Sequence, residues 1–303
     1  MLVSVVIPLL GNPSELFFDL IADLRSELLE VGESEIIVVQ SGSKAPLDMD
    51  GVRVFWTSRR LLPAEARNRG GYAAVGRALF FIDGDNRLRS GALKSVLGRL
   101  DQGLECVVAC ATHFMEDADR VAFYGASHQV HAWRTFFYSE QSAIGPEIEV
   151  EVAANAYGLL RDSFLYVGGF DGRLFPSHFE ESDFCYRLRA ASGKKIVCLP
   201  EAVVYNDMPV DARARLVPKD ALRSFNNARS RPIFIAKHLG RYRLYQYLLL
   251  WQFVLLGVHI GAEALSAVRV VRAKGSPHWS VGAYIWGMCV GGVSALSELR
   301  IRN

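Results

Sequence analysis

Two aspartates separated by one glycine, Asp83-Gly84-Asp85, carry the first chemical signal in the sequence. They directly follow the apolar run ALFFI at 78–82, a pattern typical of a buried strand. Because ligands of open α/β sheets bind at the carboxyl ends of strands, the two carboxylates are expected to face a crevice. One or two carboxylates plus phosphate oxygens are the usual ligands of Mg²⁺ or Mn²⁺. An ordinary turn is the alternative interpretation, and the triplet alone does not decide between them.

A second group of acids lies at Glu180, Glu181 and Asp183. A carboxylate within hydrogen-bond reach of a hydroxyl can remove its proton while that oxygen attacks an electrophile. Mutual repulsion among three acids in four residues should raise the pKa of at least one of them. Acids also stabilise a helix N-terminus through the helix dipole, and both interpretations hold if the helix begins at the crevice.

The elements that must position these acids alternate between strand and helix patterns. A helix over Ser14–Leu29, which Ser14 can cap, separates apolar runs at Val3–Leu9 and Glu35–Gln40. Pro63 begins a second helix, expected to continue to position 78. The other predicted elements are strands at 52–56, 79–82, 104–112 and 147–160 and a helix at 90–100. This order predicts an α/β fold with a mostly parallel central sheet flanked by helices.

Six segments in this order resemble glycosyltransferase family 2, whose members have the GT-A fold. They are VSVVIPLLGNP at 3–13, EIIVVQSGS at 35–43, PAEARNRGG at 63–71, the DGD triplet, GGFD at 168–171 and FEESDFCYR at 179–187. The resemblance implies a GT-A domain over 1–206, with a nucleotide-sugar-binding half at 1–100 and an acceptor half at 101–206. A dehydrogenase is disfavoured because the first turn, LLGNPSE, lacks GxGxxG.

The resemblance further implies transfer of a sugar from a nucleotide-diphosphate donor to an acceptor hydroxyl, on a glycan or a lipid-linked molecule. The cofactor implied is Mn²⁺ or Mg²⁺, and the implied course is inversion by direct displacement. A cation on the diphosphate stabilises the charge that the leaving group gains. The alternative is a non-catalytic nucleotide-sugar-binding or partner-binding module on the same fold.

Site residues follow from matching the family's motifs to this sequence. Glu181 corresponds to the catalytic base, with Glu180 as the next candidate and Asp183 as an orienting residue. Asp85 corresponds to the main metal ligand, and Asp83 to a position near the ribose or metal-bound water. Contacts to the nucleotide-sugar donor are implied for Pro8, Gln40, Ser41, Arg67, Asn68, Asp83, Gly84 and Asp85. For Arg187, a structural salt bridge is the expected role.

Two positions depart from the family's usual pattern. Gln40 and Ser41 replace an acid pair, so the family's nucleotide preference does not carry over, although an amide can still hydrogen-bond a base edge. Asn206 stands where a histidine often adds a metal or phosphate contact. A metal held by Asp85 and phosphates alone is expected to bind weakly, and only with the donor present.

Composition adds a charge asymmetry. The 303 residues carry a net charge of +2, yet residues 207–275 hold 12 Lys/Arg against 4 Asp/Glu, a surplus of +8 that leaves −6 elsewhere. This near-neutral total argues against a nucleic-acid binder. Five cysteines without a CxxC pair indicate reduced thiols inside a cell, and MLVSVVIPLL does not resemble a signal peptide, so a cytoplasmic location is expected.

The region 207–303 is predicted to be a basic, apolar and helical extension that associates with a membrane. Residues 213–243 contain nine Lys/Arg and one acid, and apolar helices are predicted at 247–268 and 279–297. Basic segments beside apolar helices favour contact with an anionic cytoplasmic leaflet through 213–297. Docking is favoured over spanning, and the Gly287–Gly291 GxxxG permits close helix contact. A solvated basic face with helices packed on their own domain is the alternative.

Overall fold

The computed structural model describes residues 2–128, 135–139, 145–208, 210, 221–248, 257 and 281–301. Its central sheet has ten strands in the described residues, and β8 and β9 form a separate pair. The strands are β1 (Val3–Leu10), β2 (Ser34–Ser41), β3 (Val52–Thr57), β4 (Ala78–Ile82), β5 (Asn86–Leu88), β6 (Glu105–Phe114), β7 (Val121–Phe123), β8 (Gly125–Ser127), β9 (Phe136–Tyr138), β10 (Ile148–Val150), β11 (Ala156–Leu160) and β12 (Lys195–Asn206). The helices are α1 (Glu15–Val31), α2 (Pro63–Ala73), α3 (Ala92–Asp101), α4 (Arg161–Tyr166), α5 (Glu180–Ser192), α6 (Ala221–Phe234), α7 (Arg241–Gln246) and α8 (Val281–Ile301), with a π-helix (Ile235–Leu239) between α6 and α7.

The sheet order is β10-β12-β6-β11-β4-β1-β2-β3. The pairs β4–β1, β1–β2, β2–β3 and β6–β12 are parallel. Strand β11 lies antiparallel between β4 and β6, and β5, β7 and β10 also pair antiparallel. Six of the ten strands, β1 to β4, β6 and β12, thus run in the same direction, in agreement with the expected mostly parallel sheet. The antiparallel strands were not predicted, because an apolar run shows that a strand is buried but not in which direction it runs.

Two predicted boundaries were wrong. The single strand expected at 147–160 is two strands, β10 and β11, and Asn155 between them has a left-handed backbone with φ of 63°. Helix α2 ends at Ala73 instead of position 78, because Ala74 turns extended and Ala78 already pairs with β1. In both cases a local change of backbone direction divides a segment that the sequence pattern presents as one element.

The sheet carries apolar cores on its two faces. On one face α1 and α3 pack against β1, β2 and β4, and the Ser14 hydroxyl accepts a hydrogen bond from the Phe17 amide at the start of α1, as predicted. On the other face α2, α4 and α5 pack against the same strands and against β6 and β11. This sandwich fixes the starts of α2 and α5 on the same side of the sheet.

The C-terminal helices pack on each other through small residues. A Cβ atom at Gly287 would lie 2.4 Å from the Phe225 carbonyl oxygen, and one at Gly291 would lie 2.3 Å from that of Arg229. The close helix contact predicted from GxxxG is thus confirmed, between α8 and α6. Within the described parts of the chain, no helix combines the length and apolar character needed to cross a membrane. Most of the predicted helix at 247–268 lies outside the described residues.

Candidate active site

A cleft of about 910 Å³ opens where β1, β2 and β4 end and α5 begins. Residues predicted for the donor and those predicted for proton transfer meet in it, although about a hundred residues separate them in sequence. The predicted residues that line the cleft are Pro8, Ser41, Arg67, Asp83, Gly84, Asp85, Glu180 and Glu181.

Arg67, on α2, is the centre of this arrangement. Its guanidinium lies 2.7 Å from Asp83 Oδ1, 3.2 Å from Glu180 Oε1 and 3.3 Å from Glu181 Oε1. Burial opposes its charge, yet the three carboxylates raise the pKa of Arg67 well above its ordinary value. One buried cation thus joins the acid of the donor half to the two acids of the acceptor half.

The two glutamates at the start of α5 hold protons more tightly than ordinary glutamates. Burial is the largest cause for both; it raises the pKa of Glu180 and raises that of Glu181 to about 8. The Arg67 charge opposes this shift, whereas the Asp83 charge adds to it. The predicted upward shift is therefore present, with burial as a larger cause than repulsion. A carboxyl that titrates near neutral pH can act as a general base.

The DGD turn is held from behind by an amide network. Asn206 Nδ2 donates to Asn86 Oδ1 at 2.8 Å, and Asn86 Nδ2 donates to the Asp83 carbonyl at 3.2 Å. Asn206 is buried and does not line the cleft, so the side chain that replaces the family's histidine supports the turn.

The donor set of this turn fits a divalent cation that shares its ligands with phosphates. Asp83 gives one carboxylate oxygen to Arg67, and Asp85 is exposed at the cleft. In the described residues, no group of three or more His, Cys, Asp or Glu could enclose a metal ion. Two carboxylates at a cleft suit Mg²⁺ or Mn²⁺ bound together with a diphosphate.

Asp183 lies under the cleft rather than in it. It is fully buried, and its carboxylate binds Arg187 Nε at 2.7 Å, Lys237 Nζ at 2.8 Å and His238 Nε2 at 2.8 Å. Burial would raise the pKa of Asp183, but the His238 hydrogen bond and the Arg187 and Lys237 charges outweigh it and lower that pKa to about 2. The ion pair with Asp183 confirms the structural salt bridge expected of Arg187. Arg187 also donates hydrogen bonds to the carbonyl oxygens of Val167 and Gly169.

Two residues that were expected at the donor lie elsewhere. Gln40 is buried, donates to the Gly11 carbonyl and accepts from the Leu47 amide, so both ends of its side-chain amide hold loops. Asn68 donates to the Phe170 carbonyl and accepts from the Phe170 amide. The two hydrogen bonds between Asn68 and Phe170 require glycine at position 169. Gly169 has φ of 65°, and a Cβ atom there would lie 2.5 Å from Asn68 Oδ1. In both amides the oxygen and the nitrogen each hydrogen-bond a backbone group, which indicates a structural role.

Sequence reasoning missed several residues of the site. Tyr157, on β11, is fully buried beside Glu181, and burial and the Glu181 charge hold the pKa of Tyr157 well above its ordinary value. His128, which also lines the cleft, was not among the predicted site residues. Three residues of α6, namely Asn226, Asn227 and Arg231, also line the cleft. The basic composition of 213–243 was interpreted as a surface for membrane contact or a solvated face, not as part of the cleft.

Comparison with known proteins gives both sequence and fold relatives. The family model described as Glycosyl transferase family 2 matches residues 4–164. Two curated proteins named pre-mycofactocin glycosyltransferase, from Mycobacterium tuberculosis strains CDC 1551 / Oshkosh and ATCC 25618 / H37Rv, are each 29% identical over 214 residues, which are 68% of this chain and 42% of the relative. The chain thus spans about two fifths of the length of these relatives.

Solved glycosyltransferases share the fold. GalNAc-T7 with UDP, GalNAc and Mn²⁺ matches with a TM-score of 0.59 at 14% identity, covering 78% of this chain and 50% of that one. The mannosyltransferase PcManGT from Pyrobaculum calidifontis, with GDP-Man and Mn²⁺, matches with a TM-score of 0.55 at 15% identity, covering 99% and 87%. Residues 1–349 of S. aureus TarS match with a TM-score of 0.54 at 17% identity, covering 95% and 90%.

These structures agree with the GT-A architecture expected from the sequence, and the curated relatives are transferases of the same kind. The family match extends over more than half of the chain and includes β1, β2, the DGD turn and Arg67. The chain therefore belongs to glycosyltransferase family 2.

Proposed function

We propose that the chain transfers a sugar from a nucleotide-diphosphate sugar to an acceptor hydroxyl, with a divalent cation bound at Asp83 and Asp85. The observation that carries the proposal is the Arg67 cluster, because it brings the acid of the donor half within one ion-pair network of the two glutamates that can accept a proton. A site for binding alone does not require buried carboxyls whose pKa values are raised.

Support for the donor class comes from the cleft and from fold relatives. The cleft begins at the ends of β1, β2 and β4 with Pro8, Ser41 and Gly84 on its wall. PcManGT was solved with GDP-Man and Mn²⁺, and TarS with UDP. We infer a nucleoside diphosphate sugar here as well, with Asp85 as the main cation ligand.

Chemically, Glu181 takes the proton of the acceptor hydroxyl while that oxygen attacks the anomeric carbon. A new carbon–oxygen bond forms as the bond between that carbon and the diphosphate oxygen breaks, and the nucleoside diphosphate leaves. A single displacement of this kind inverts the anomeric configuration. Arg67 holds Glu180 and Glu181 in place, and the buried hydroxyl of Tyr157 lowers the pKa of Glu181. When bound, the cation stabilises the negative charge that builds on the leaving diphosphate.

The acceptor is proposed to be a hydroxyl on a glycan or on a lipid-linked molecule at the cytoplasmic face of a membrane. The support is the basic C-terminal region and an exposed apolar stripe on α8, formed by Trp286, Val293 and Leu296. These positions, seven and three residues apart, fall on one side of the helix, opposite the glycines that contact α6. Apolar side chains beside basic segments favour docking on anionic lipid.

The base assignment is tested by measuring transfer and donor hydrolysis with UDP-sugars and GDP-sugars in Mn²⁺, for the wild type, Glu181→Gln and Glu180→Gln. Glu181→Gln should lose at least about 100-fold in kcat and keep its affinity for the donor, because an amide cannot accept the proton. Glu180→Gln should retain measurable transfer. An active Glu181→Gln together with an inactive Glu180→Gln would move the base by one residue. Absence of turnover in the wild type would instead favour the binding-module alternative.

A further inference from the structure

The two residues before the glutamate pair have a strained backbone. His178 has φ of 63° and Phe179 has φ of 67°, in the left-handed region that side chains with a Cβ atom rarely adopt. Phe179 is the residue that caps the start of α5, so its conformation sets the direction in which Glu180 and Glu181 leave the loop. Such a conformation persists only where its surroundings hold it.

The surroundings that hold Phe179 come from outside α5. Its ring centre lies 5.0 Å from that of His128 in a stacked arrangement and 5.2 Å from that of Phe234 on α6. The Arg231 guanidinium, also on α6, lies 4.9 Å above the Phe179 ring. We call His128, Arg231 and Phe234 the ring clamp of Phe179.

The residues of the ring clamp also contact one another and α5. His128 and Phe234 contact each other with ring centres 4.7 Å apart, and the Phe234 ring is fully buried. His128 Nε2 lies 2.8 Å from the Oγ atom of Ser182, the residue that follows Glu181 in the sequence. Burial, with the Arg231 and His238 charges, lowers the pKa of His128 to about 3, so this imidazole is neutral and its hydrogen bond to Ser182 persists through the physiological pH range.

A second attachment lies one turn into α5. Lys237 and His238, on the π-helix that continues α6, both bind Asp183, and Lys237 also lies 3.1 Å from Asp171 of the GGFD turn. A π-helix is rare and is often found at functional sites. Here it follows Pro232, which removes a backbone donor from α6.

We propose that α6 and the π-helix position the catalytic glutamates, with Phe234 and Lys237 as the principal positioning residues. Phe234 keeps Phe179 in its left-handed conformation, and Lys237 anchors Asp183 below the glutamates. The proposal rests on the proposed function in that it assigns Glu181 the proton transfer. The proposed positioning residues Phe234 and Lys237 lie well beyond residues 4–164, the segment that the family model matches.

Phe234→Leu tests the ring clamp. Hydrogen–deuterium exchange of the 180–184 amides should quicken, and kcat for transfer with Mn²⁺ should fall about tenfold or more while KM for the donor stays within about threefold. The matched control is Phe17→Leu, a fully buried phenylalanine on α1 in the core of the opposite sheet face. Phe17→Leu should lose comparable thermal stability but leave both readouts at the wild-type value.

Lys237→Met tests the second attachment and serves if Phe234→Leu does not fold. Lys237→Met should also quicken exchange of the 180–184 amides and lower kcat, while KM for the donor stays nearly unchanged. The control Lys94→Met, which breaks a surface ion pair with Glu30, should do neither. The inference is overturned if exchange at 180–184 is unchanged in both variants, or if kcat falls no further than in the matched controls. A wild type without transfer activity would contradict the proposed function, and the exchange measurement would still decide the positioning role.

Discussion

At the scale of single residues, the site depends on where its charges are placed. Arg67 faces three carboxylates in a buried setting, and burial raises the pKa of two of these, Glu180 and Glu181, above that of an ordinary glutamate. The pKa of Asp183, only two residues from Glu181, is lowered instead, by the hydrogen bond with His238 and by the charges of Arg187 and Lys237. The sequence EESD alone could not have distinguished these acids, since their pKa values depend on partners from α2, β11 and the π-helix.

A pH profile follows from the Glu181 carboxyl. Since the base must be ionised and the pKa of Glu181 is raised to about 8, kcat/KM for the donor should increase with pH and reach half its maximum near that value. An ordinary glutamate would give a half-maximum near about 4.3. The measurement is the initial transfer rate at subsaturating donor from acid to alkaline pH, and a flat profile between pH values of about 6 and 9 would contradict the assignment.

Removal of Arg67 should be costly. Arg67→Met leaves Asp83, Glu180 and Glu181 without their shared cation, and loss of one partner of a buried ion pair costs about 3–5 kcal/mol in the free energy of unfolding. Urea unfolding of this variant is compared with that of Arg53→Met, which removes an exposed partner of Glu35 and should cost about 1 kcal/mol or less. Equal losses in the two variants would show that Arg67 is not the centre of the cluster.

At the scale of elements, periodic patterns predicted what lies in each layer but not how the chain turns. Helix α1, its Ser14 cap and the parallel strands β1 to β4 follow from apolar spacing, because each has one repeated environment along its length. The direction of β11 and the break at Asn155 do not, because they depend on tertiary pairing. For the same reason the sequence did not show that the side-chain amides of Gln40 and Asn68 hydrogen-bond the backbone of other loops. Both residues were therefore expected to contact the donor.

The contact between α6 and α8 can be tested by adding one methyl group. Gly287→Ala places a Cβ atom against the Phe225 carbonyl oxygen, and this overpacking should lower the free energy of unfolding by about 1–3 kcal/mol. Gly292→Ala is the control on the same helix. Apart from the nearby backbone of α8, no atom of the described residues would lie within 4 Å of the added Cβ, and the substitution should stabilise by up to about 1 kcal/mol. Urea denaturation measures both, and destabilisation by Gly292→Ala alone would contradict the packing described.

At the scale of the whole molecule, the net charge of +2 is a sum of an acidic catalytic half and a basic C-terminal region. The sequence suggested that these regions have separate tasks, and the division at 206/207 stays a prediction. The structure brings α6 back to the cleft, where Arg231, Asn226 and Asn227 line it. Basic residues of this region are thus shared between the site and the surface proposed to meet lipid.

Membrane docking is tested by co-sedimentation with vesicles of neutral lipid, with and without anionic lipid. Binding should require anionic lipid and weaken between about 0.1 M and about 1 M NaCl, because salt screens exposed charges. Trp286→Ser should reduce binding through loss of an exposed apolar contact on α8, whereas Trp56→Ser, on the sheet-edge strand β3, should not. Equal binding to neutral and anionic vesicles would contradict the proposed surface.

The central claim is that the cleft binds a nucleoside diphosphate together with a divalent cation at the DGD turn. Its most direct test is the thermal unfolding midpoint of the wild type and of Asp85→Asn with UDP or GDP, each with and without Mn²⁺. Because a ligand at about 100 times its Kd adds about 2.7 kcal/mol of stability, the wild type should gain several degrees with diphosphate and Mn²⁺ together and little with either alone. Asp85→Asn should lose most of that gain, and a gain that is independent of Mn²⁺ or unchanged in Asp85→Asn would contradict the account.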